Sequence, residues 1–394
     1  MLDRRTDLSR DGKTGISLHC HSQHSKEILD FIPFYADKIP VVRHIWKREC
    51  RRYEAREGKA PNFNTGYWEP PLTGHQVFAM EKDQMNAVGL DAVVSITDHD
   101  SIDGCLEINA DIDNALAPIS LEWTVPFGCA YFHLGIHNLP AEIAVEIKRQ
   151  LLDYTFAEGE PNNERLHTIF AMLNEVPPIL VVFNHPVWDI EMIGQEGHDT
   201  LLESFIAEHS QWLHSIEING FRPWSENRAS MAIAEHLGMP MISGGDRHCL
   251  HSNTMINVTD AASFSEFAEE IRVDKYSHVV VMPEYHEPLV SRQMASMAEI
   301  MGYYPDFPEG RRHWYERVYF DADDATGVRS LWSHWAGREP IWQRWAIGLL
   351  TALGHRGLQP LFQLGVDWAD MAKRESAARK PQTAIGQTLL TVER

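Results

Sequence analysis

The sequence predicts an α/β fold built on parallel strands, and three observations support this prediction. Seven short apolar runs, most of them rich in Val and Ile, have the length and composition of buried strands. Segments with apolar residues at helical spacing lie between several of these runs, as the crossover helices of parallel strands do. Each run ends in polar side chains, and parallel β/α barrels carry their chemistry at the C-terminal ends of their strands.

The predicted elements alternate along the chain. The candidate strands are residues 15–22, 92–100, 117–124, 130–137, 179–186, 214–221 and 240–248. The candidate helices between them are residues 75–89, 141–158, 162–175 and 228–238. The last of these helices ends at Gly238, and glycine commonly ends helices because it adopts the left-handed conformation without strain.

Two segments depart from this alternation. Roughly sixty to seventy residues separate the first two candidate strands, far more than an ordinary βα connection, so residues 28–74 are interpreted as an insertion. The chain after residue 285 holds six of the twelve tryptophans and has helical patterns at 287–302 and 339–353. We therefore expect a main domain of residues 1–285 and a Trp-rich, mainly helical C-terminal extension of residues 286–394.

Composition excludes some classes of function. The formal net charge of −21 disfavours the binding of an extended nucleic acid, which requires a basic track. Five cysteines without a CxxC pair indicate a reduced, cytoplasmic chain. The N-terminal residues contain no apolar signal segment. The most apolar stretch, residues 345–354, is too short to span a bilayer, so we expect no membrane association.

The strand ends are rich in side chains that bind metal ions. His19 and His21 are two residues apart, and a strand would place both on one face. The second run ends in Thr-Asp-His-Asp at 97–100, and the third contains Glu122, a carboxylate that is costly to bury unless it is paired or binds a metal. Each residue alone has an ordinary explanation as a hydrogen-bonded core residue, but their shared position at strand ends indicates one site. Imidazole and carboxylate without thiolate suit Zn, Mn or Fe.

The ordered motifs resemble a known family. HxH, TDHD, a strand-end Glu, HLG, His-Pro and a glycine-led DxH are together similar to the polymerase and histidinol phosphatase (PHP) superfamily of metal-dependent phosphoesterases, over roughly residues 15–285 without the insertion. The resemblance implies a distorted (β/α)7 TIM-like barrel that holds two or three divalent ions, Mn, Zn or Fe. It implies the metal ligands His19, His21, His99, Glu122, His133, His185, Asp246 and His248. It also implies that Glu122 bridges two ions and that Asp98 supports the ligands, whereas Glu217 and Asn219 match a strand end near the site without a defined role.

The chain departs from the family pattern at two places. Lys26 stands near a position where the family usually has Asp, and either Glu27 or His24 could replace that ligand. We include Glu27 among the expected metal ligands; if neither residue serves, the site would hold two ions. Arg247 stands where the family usually has a small residue. It either points away from the site or contacts a substrate phosphate.

The implied activity is hydrolysis of a phosphate ester on a small phosphorylated substrate, a nucleotide or a sugar phosphate, by a hydroxide that bridges the metal ions. We count Asp98, His24 and Arg247 as catalytic candidates, and His24, His251 or a metal-bound water could protonate the leaving group. Three alternatives stay open: a nuclease acting on nucleic-acid ends, a C–N hydrolase on a similar barrel, and a non-catalytic metal-binding module whose C-terminal extension contacts a partner.

Basic residues in the insertion have two interpretations. The segment 43–59 could form a solvated helix in which glutamates pair with arginines. Alternatively, it could form a lid that brings guanidinium groups to a bound phosphate. We count Arg48, Arg52 and Arg222 as candidate substrate contacts. The Trp-rich extension could pack as core, cover the substrate or mediate homo-oligomer formation.

Overall fold

The described part of the chain forms a mixed α/β structure with three sheets. The computed structural model describes residues 7–29, 33, 40–60, 62–63, 66–110, 117–159, 161–321, 327–335, 341–354, 383–385 and 387–393. Of the sequence predictions, Trp368 lies outside these residues. No helix among the described residues is long and apolar enough to cross a bilayer.

The largest sheet has six strands. In spatial order they are β14 (Thr383–Ile385), β15 (Thr388–Val392), β11 (Ser277–Val281), β10 (Met255–Thr259), β1 (Thr14–Ser17) and β4 (Asp91–Val94). β1 and β4 pair in parallel, with Ile16 opposite Val93. β10 runs antiparallel to both β1 and β11. β10, β11 and β15 were not predicted from the sequence, because their apolar runs do not end in clusters of metal-binding side chains.

The second sheet has five strands and contains most of the predicted runs. In spatial order they are β5 (Ile119–Phe127), β6 (Ala130–Leu139), β7 (Leu180–Asn184), β8 (Ser215–Asn219) and β9 (Met241–Gly244). β7, β8 and β9 are parallel, as expected. The expectation of a parallel strand at 130–137 is wrong, because β6 is antiparallel to both β5 and β7. The turn between β5 and β6 is too short for the crossover that parallel strands require.

Two isolated backbone bridges link these sheets. His99, beyond the end of β4, bridges to Glu122 of β5, and Cys20, beyond the end of β1, bridges to Arg247, beyond the end of β9. All seven predicted strands are therefore present, but they belong to two sheets. A continuous closed barrel is not formed by the described part of the chain.

A four-stranded sheet joins the insertion to the C-terminal extension. Its strands, in spatial order, are β13 (Val328–Ser330), β12 (Val318–Asp321), β3 (Gly66–Trp68) and β2 (Glu27–Ile28). β3 of the insertion pairs antiparallel with β12 of the extension. The extension therefore contributes strands to two sheets, and the domain boundary near residue 285 stays a prediction.

The helices flank the sheets. They are Pro40–Glu57, Gly74–Ala87, Asp103–Asn109, Ala144–Thr155, Asn163–Asn174, Gln195–His209, Trp224–Leu237, Phe264–Glu269, Leu289–Ile300, Leu331–His334 and Ile341–Gly354. The predicted helices are all present to within a few residues. Gly238 caps its helix at φ 63°, in the left-handed conformation expected of it.

The main core lies between the five-stranded sheet and its helices. Trp123 of β5 is fully buried, and its Nε1 donates to Thr155 Oγ1 over 2.9 Å. Phe170 and Phe205, from the helices Asn163–Asn174 and Gln195–His209, are also fully buried. Burial of these large aromatic side chains holds β5 against its helices. Glu122, the residue before Trp123, is held by this rigid strand.

We expect one buried histidine of this core to make folding sensitive to acid. His214 accepts a hydrogen bond from Val181 N through Nδ1 (2.9 Å), and burial, with help from Arg272 and Lys275, lowers the pKa of His214 to about 3. The unfolded imidazole binds a proton near pH 6.5. Since the folded-state pKa is the lower one, this contribution is complete above about pH 6.5 and is lost as the pH falls towards 3.

His214→Asn would keep an acceptor for Val181 N and remove the titration. Between pH 6.5 and 5, the parent should lose about 2 kcal/mol more unfolding free energy than this variant, as measured by urea denaturation. Equal losses in both proteins would contradict the assignment of His214.

Candidate metal centre

The predicted metal-binding side chains converge where the two larger sheets meet. His19 and His21 follow β1, His99 follows β4, and His185 follows β7. His133 reaches the same place by a different route. It lies near the start of the antiparallel strand β6, opposite Thr124 and Asn184. The position at the C-terminal end of a run, which the sequence suggested for this histidine, is wrong, although its inclusion in the cluster is supported.

Glu122 is the centre of the cluster. It is 1% exposed, and five imidazoles surround its carboxylate: those of His19, His21, His99, His133 and His185. Oε2 lies 3.0, 3.5 and 3.4 Å from Nε2 of the first three. Oε1 lies 3.6 Å from His133 Nδ1 and 3.3 Å from His185 Nε2. Asn184 Nδ2 donates to Oε1 over 2.9 Å and orients the carboxylate.

Glu27 provides a second buried carboxylate. Its Oε2 lies 3.1 Å from His248 Nε2 and 3.3 Å from His99 Nε2, and its Oε1 lies 3.6 Å from His21 Nδ1. His24, the other candidate for the missing ligand, instead pairs through Nε2 with Glu107 Oε2 at 2.9 Å. The geometry therefore favours Glu27 over His24 as the replacement.

Asp246 provides the third carboxylate. Its Oδ1 lies 3.7 Å from His21 Nε2, 3.7 Å from His248 Nδ1 and 3.8 Å from His19 Nε2. The residue adopts φ 50°, a strained backbone conformation that recurs at functional sites. A Cβ at Gly244 would lie 1.6 Å from Glu217 Oε1. Gly244, two residues before Asp246, is therefore needed for the close approach of the Glu217 carboxylate.

Glu217 belongs to the site, although the sequence analysis left its role undefined. Its Oε1 lies 2.6 Å from His19 Nδ1, and its Oε2 accepts a hydrogen bond from His185 N over 2.8 Å. The side chain is buried near the C-terminal end of β8. A carboxylate near a strand end was the same signal that identified Glu122. Glu217 orients the His19 ring, as carboxylates behind metal-binding histidines do.

In the cluster, burial and the neighbouring charges shift the pKa values of the side chains in opposite directions. Burial raises the pKa of Glu122, but His19 and His99 outweigh it and hold that pKa well below its usual value. Burial lowers the pKa of His99, but Glu27 and Glu122 raise it to about 10. Burial lowers the pKa of His133 to about 3, so its imidazole is neutral and able to coordinate a cation. The Glu122 carboxylate is therefore ionised and requires positive charge nearby.

The side chains present fit divalent cations. His21 Nε2 and His133 Nδ1 are buried ring nitrogens without a hydrogen-bond partner among the described residues. Several overlapping groups have donor atoms within 4.8 Å of one another: His19–His21–Asp246, His21–His99–Glu122, His21–Glu27–His248, Glu122–His133–His185 and His19–His185–Glu217. Imidazole nitrogens with carboxylate oxygens form a donor set that suits Zn, Mn or Fe.

Asp98 contacts the backbone beside the cluster. Its carboxylate accepts hydrogen bonds from Ser22 N and from Ser22 Oγ, the latter over 2.8 Å. It thereby fixes the loop that carries His21, which agrees with the supporting role that the resemblance implied. Burial raises the pKa of Asp98 to about 6. Asp100, for which no role was predicted, accepts from Thr124 N over 3.0 Å and ties this loop to β5.

Arg247 does not face the metal-binding candidates. Its Nη1 donates to Glu81 Oε1 over 2.7 Å and to Gln84 Oε1 over 3.0 Å, and its Nη2 donates to Leu250 O over 3.2 Å. Arg247 and Glu81 are both buried. Of the two alternatives that the sequence left open, the guanidinium points away from the site. Because Nη1 and Nη2 are engaged with these partners, the geometry favours a structural role for Arg247 over the predicted catalytic one.

Of the three arginines predicted to contact the substrate, two lie away from the cavity above the site and one lines it. Arg48 and Arg52 lie on the exposed side of the helix Pro40–Glu57 and pair with Glu49 at 3.0 Å. These pairs match the solvated-helix interpretation, and neither arginine is among the described residues that line the cavity above the site. Arg222 does line it: its guanidinium lies 3.4 Å from the Trp188 ring centroid, with Nη2 3.3 Å from Asp246 Oδ2.

A cavity of about 870 Å³ opens onto the cluster. His99, His133, His185, Asp246 and His248 are exposed at its floor, and His24 and Arg222 also line it. The cavity gives a substrate access to the candidate metal ligands. Its volume lies within the range of small-molecule binding sites.

Comparisons with known proteins leave the family open. No protein-family model and no curated protein matches the chain. Among solved structures, PsfC from Pseudomonas syringae is 14% identical, with 73% of this chain and 99% of that chain covered and a TM-score of 0.42. An amidohydrolase from Chromobacterium violaceum is 14% identical, with 57% and 92% covered and a TM-score of 0.29. A protein described as a metal-dependent phosphoesterase from Bifidobacterium adolescentis is 14% identical, with 60% and 88% covered and a TM-score of 0.31. TM-scores below 0.5 establish neither a shared fold nor a shared activity.

Proposed function

We propose that the protein is a metal-dependent phosphoesterase of the PHP type, with β1 and β4 to β9 arranged as a distorted (β/α)7-like barrel. One observation carries the proposal. The buried Glu122 carboxylate has five imidazole nitrogens within 3.6 Å, and each of its oxygens faces a different group of histidines. A carboxylate with ligands on both sides is suited to bridge two cations. The two bridges between the sheets support the barrel.

The chain's own groups have distinct roles in such a reaction. Divalent ions held by this donor set would polarise the phosphoryl group and activate water. The Arg222 guanidinium lies 3.4 Å from the Trp188 ring centroid, and a guanidinium held this way near the floor of the cavity is able to donate to a phosphoryl oxygen. His24 lines the cavity and is oriented by Glu107. We assign it to protonate the leaving alcohol, since it is not engaged with the metal-binding carboxylates.

The nuclease alternative has less support. Arg48 and Arg52 pair with Glu49 outside the cavity lining, and the net charge is strongly negative. A substrate that carries its charge at one phosphate is therefore favoured over a polymer that needs many cationic contacts.

Metal dependence of phosphate release tests this proposal. Purified protein should hydrolyse phenyl phosphate when supplied with Mn²⁺, and a chelator should reduce the rate by about 100-fold or more, because the carboxylates and imidazoles alone cannot replace the cations. Adding Mn²⁺ back should restore the rate. Phenyl acetate and acetanilide serve as ester and amide controls. Hydrolysis of acetanilide but not of phenyl phosphate would overturn the proposal in favour of a C–N hydrolase.

A further inference from the structure

The cavity above the candidate metal centre has a polar floor and mainly apolar walls. One wall consists of Tyr67, Trp68, Met297, Ile300, Met301 and Trp314, from the insertion and the C-terminal extension. The other wall includes Tyr131, Leu152, Phe156 and Ile190, from the five-stranded sheet and its connections. The two walls face a common space of about 870 Å³. A phosphate group occupies only a small part of such a volume.

The wall that contains Trp68 and Trp314 lies next to His248, a candidate metal ligand. The Trp68 ring centroid lies 5.6 Å from that of His248 and 5.3 Å from that of Trp314. β3 carries Trp68, and its pairing with β12 holds the wall in place. A phosphate bound at the floor would therefore place its organic group beside these two indoles.

Exposed apolar side chains surround the opening of the same cavity. Phe156 is 73% exposed, Val328 50%, Tyr131 42% and Ile28 39%, and all four line the cavity. Scattered single apolar residues are normal on a surface, but a group of them around one opening marks a binding site.

The basic residues of the cavity are engaged in other contacts. Lys148 lies 3.4 Å from Asp103 Oδ1, and Lys26 lies 5.0 Å from the Tyr67 ring centroid. Arg222 lies near the floor, beside Asp246. These contacts favour a substrate that carries one phosphate, bound at the floor, and little further negative charge in the part that lies beside the walls.

We propose that the substrate is a phosphate monoester whose organic group is bulky and mainly apolar, rather than a sugar phosphate. The phosphate lies at the metal-binding floor, and the organic group lies between the Trp68–Trp314 wall and Phe156. This inference rests on the proposed phosphoesterase function and specifies its substrate class. Hydroxyl-rich groups would lose hydrogen bonds to water where they pack against these apolar side chains.

Two pairs of compounds test this proposal. Phenyl phosphate and 4-butylphenyl phosphate have leaving groups of nearly equal acidity but differ by four carbons of apolar surface. Each buried methylene is worth roughly fourfold in affinity, so kcat/KM should be at least about tenfold higher for the butyl compound. The corresponding phosphonates, which are not hydrolysed, should show the same preference in calorimetric binding to the Mn²⁺-loaded protein.

Two variants test whether the butyl preference depends on the Phe156 side chain. Phe156→Ala should reduce the butyl preference by about threefold or more in both assays. Val145→Ala removes an apolar side chain that is 63% exposed on the adjoining helix and is not among the lining residues, so the preference should not change. Equal binding of the two phosphonates would overturn the proposal. A butyl preference in binding without hydrolysis of either phosphate would retain the apolar binding site between these walls, but it would reject the phosphoesterase function and with it a phosphate monoester as the substrate.

Discussion

Glu122→Gln should remove most of the bound metal and lower kcat/KM for phenyl phosphate by at least about 100-fold, since even residues behind the ligands contribute 10- to 100-fold in metal sites. Glutamine keeps the shape of the side chain but loses its charge. It also places an amide donor where several imidazole nitrogens now face an acceptor. Elemental analysis gives the metal content per chain, and phosphate release gives the activity.

Glu146→Gln is the matched control for this experiment. Glu146 is exposed on the helix Ala144–Thr155 and pairs with Arg149 at 2.6 Å, so its replacement removes one carboxylate charge without touching the cluster. Metal content and activity should match those of the parent. Thermal unfolding should show that Glu122→Gln is folded. If the folded variant retained full metal content and activity, Glu122 would not be the central ligand.

Glu81→Leu should reduce the unfolding free energy by about 3–5 kcal/mol, because it leaves a buried guanidinium without its counter-charge. Glu81 and Arg247 are 0% and 4% exposed in their side chains and are joined at 2.7 Å. Glu81 Oε2 also accepts from Ser17 Oγ over 2.8 Å and from Asn253 Nδ2. The pair connects the helix Gly74–Ala87, β1 and the segment after β9. Urea denaturation measures the loss.

Three further variants separate the effect of an unpaired buried charge from the effect of lost packing. Glu81→Leu combined with Arg247→Met should recover part of the loss, since no unpaired charge is then left in the interior. Arg149→Met breaks the exposed pair with Glu146 and should cost less than about 1 kcal/mol. If Glu81→Leu were as mild as Arg149→Met, the buried pair would not hold this region together. Phosphate release by the folded fraction of Arg247→Met should be retained if Arg247 is structural.

Residues that lie near strand ends were predictable from the sequence. Each candidate strand exists, and His19, His21, His99 and His185 converge as their positions near strand ends implied. The reason is geometric, because parallel strands bring their C-terminal ends to one side of a sheet. Glu217 carries the same signal at the end of β8. Glu122, which the sequence placed at a strand end, instead lies within β5, as the fourth of its nine residues.

The sequence pattern around His133 did not predict the direction of its strand. Its motif identified it correctly, but its strand runs in the opposite direction because the short turn between β5 and β6 prevents a crossover. The second histidine of that run, His137, lies further along β6, where its Nδ1 is 2.8 Å from Ser95 Oγ. Strand direction thus determined which histidine reaches the cluster, and an apolar pattern with period two does not contain that information.

The sequence by itself determined the α/β class, the helices and most of the candidate metal ligands, because these depend on local periodicity and on residue type. Only the tertiary structure placed Glu27 rather than His24 beside the histidines of the cluster, turned Arg247 towards Glu81, and joined β3 to the C-terminal extension as one apolar cavity wall. Each of these features depends on contacts between residues far apart in the chain. Such contacts are selected by burial and packing of the whole fold, and a single sequence does not record which distant partners will meet.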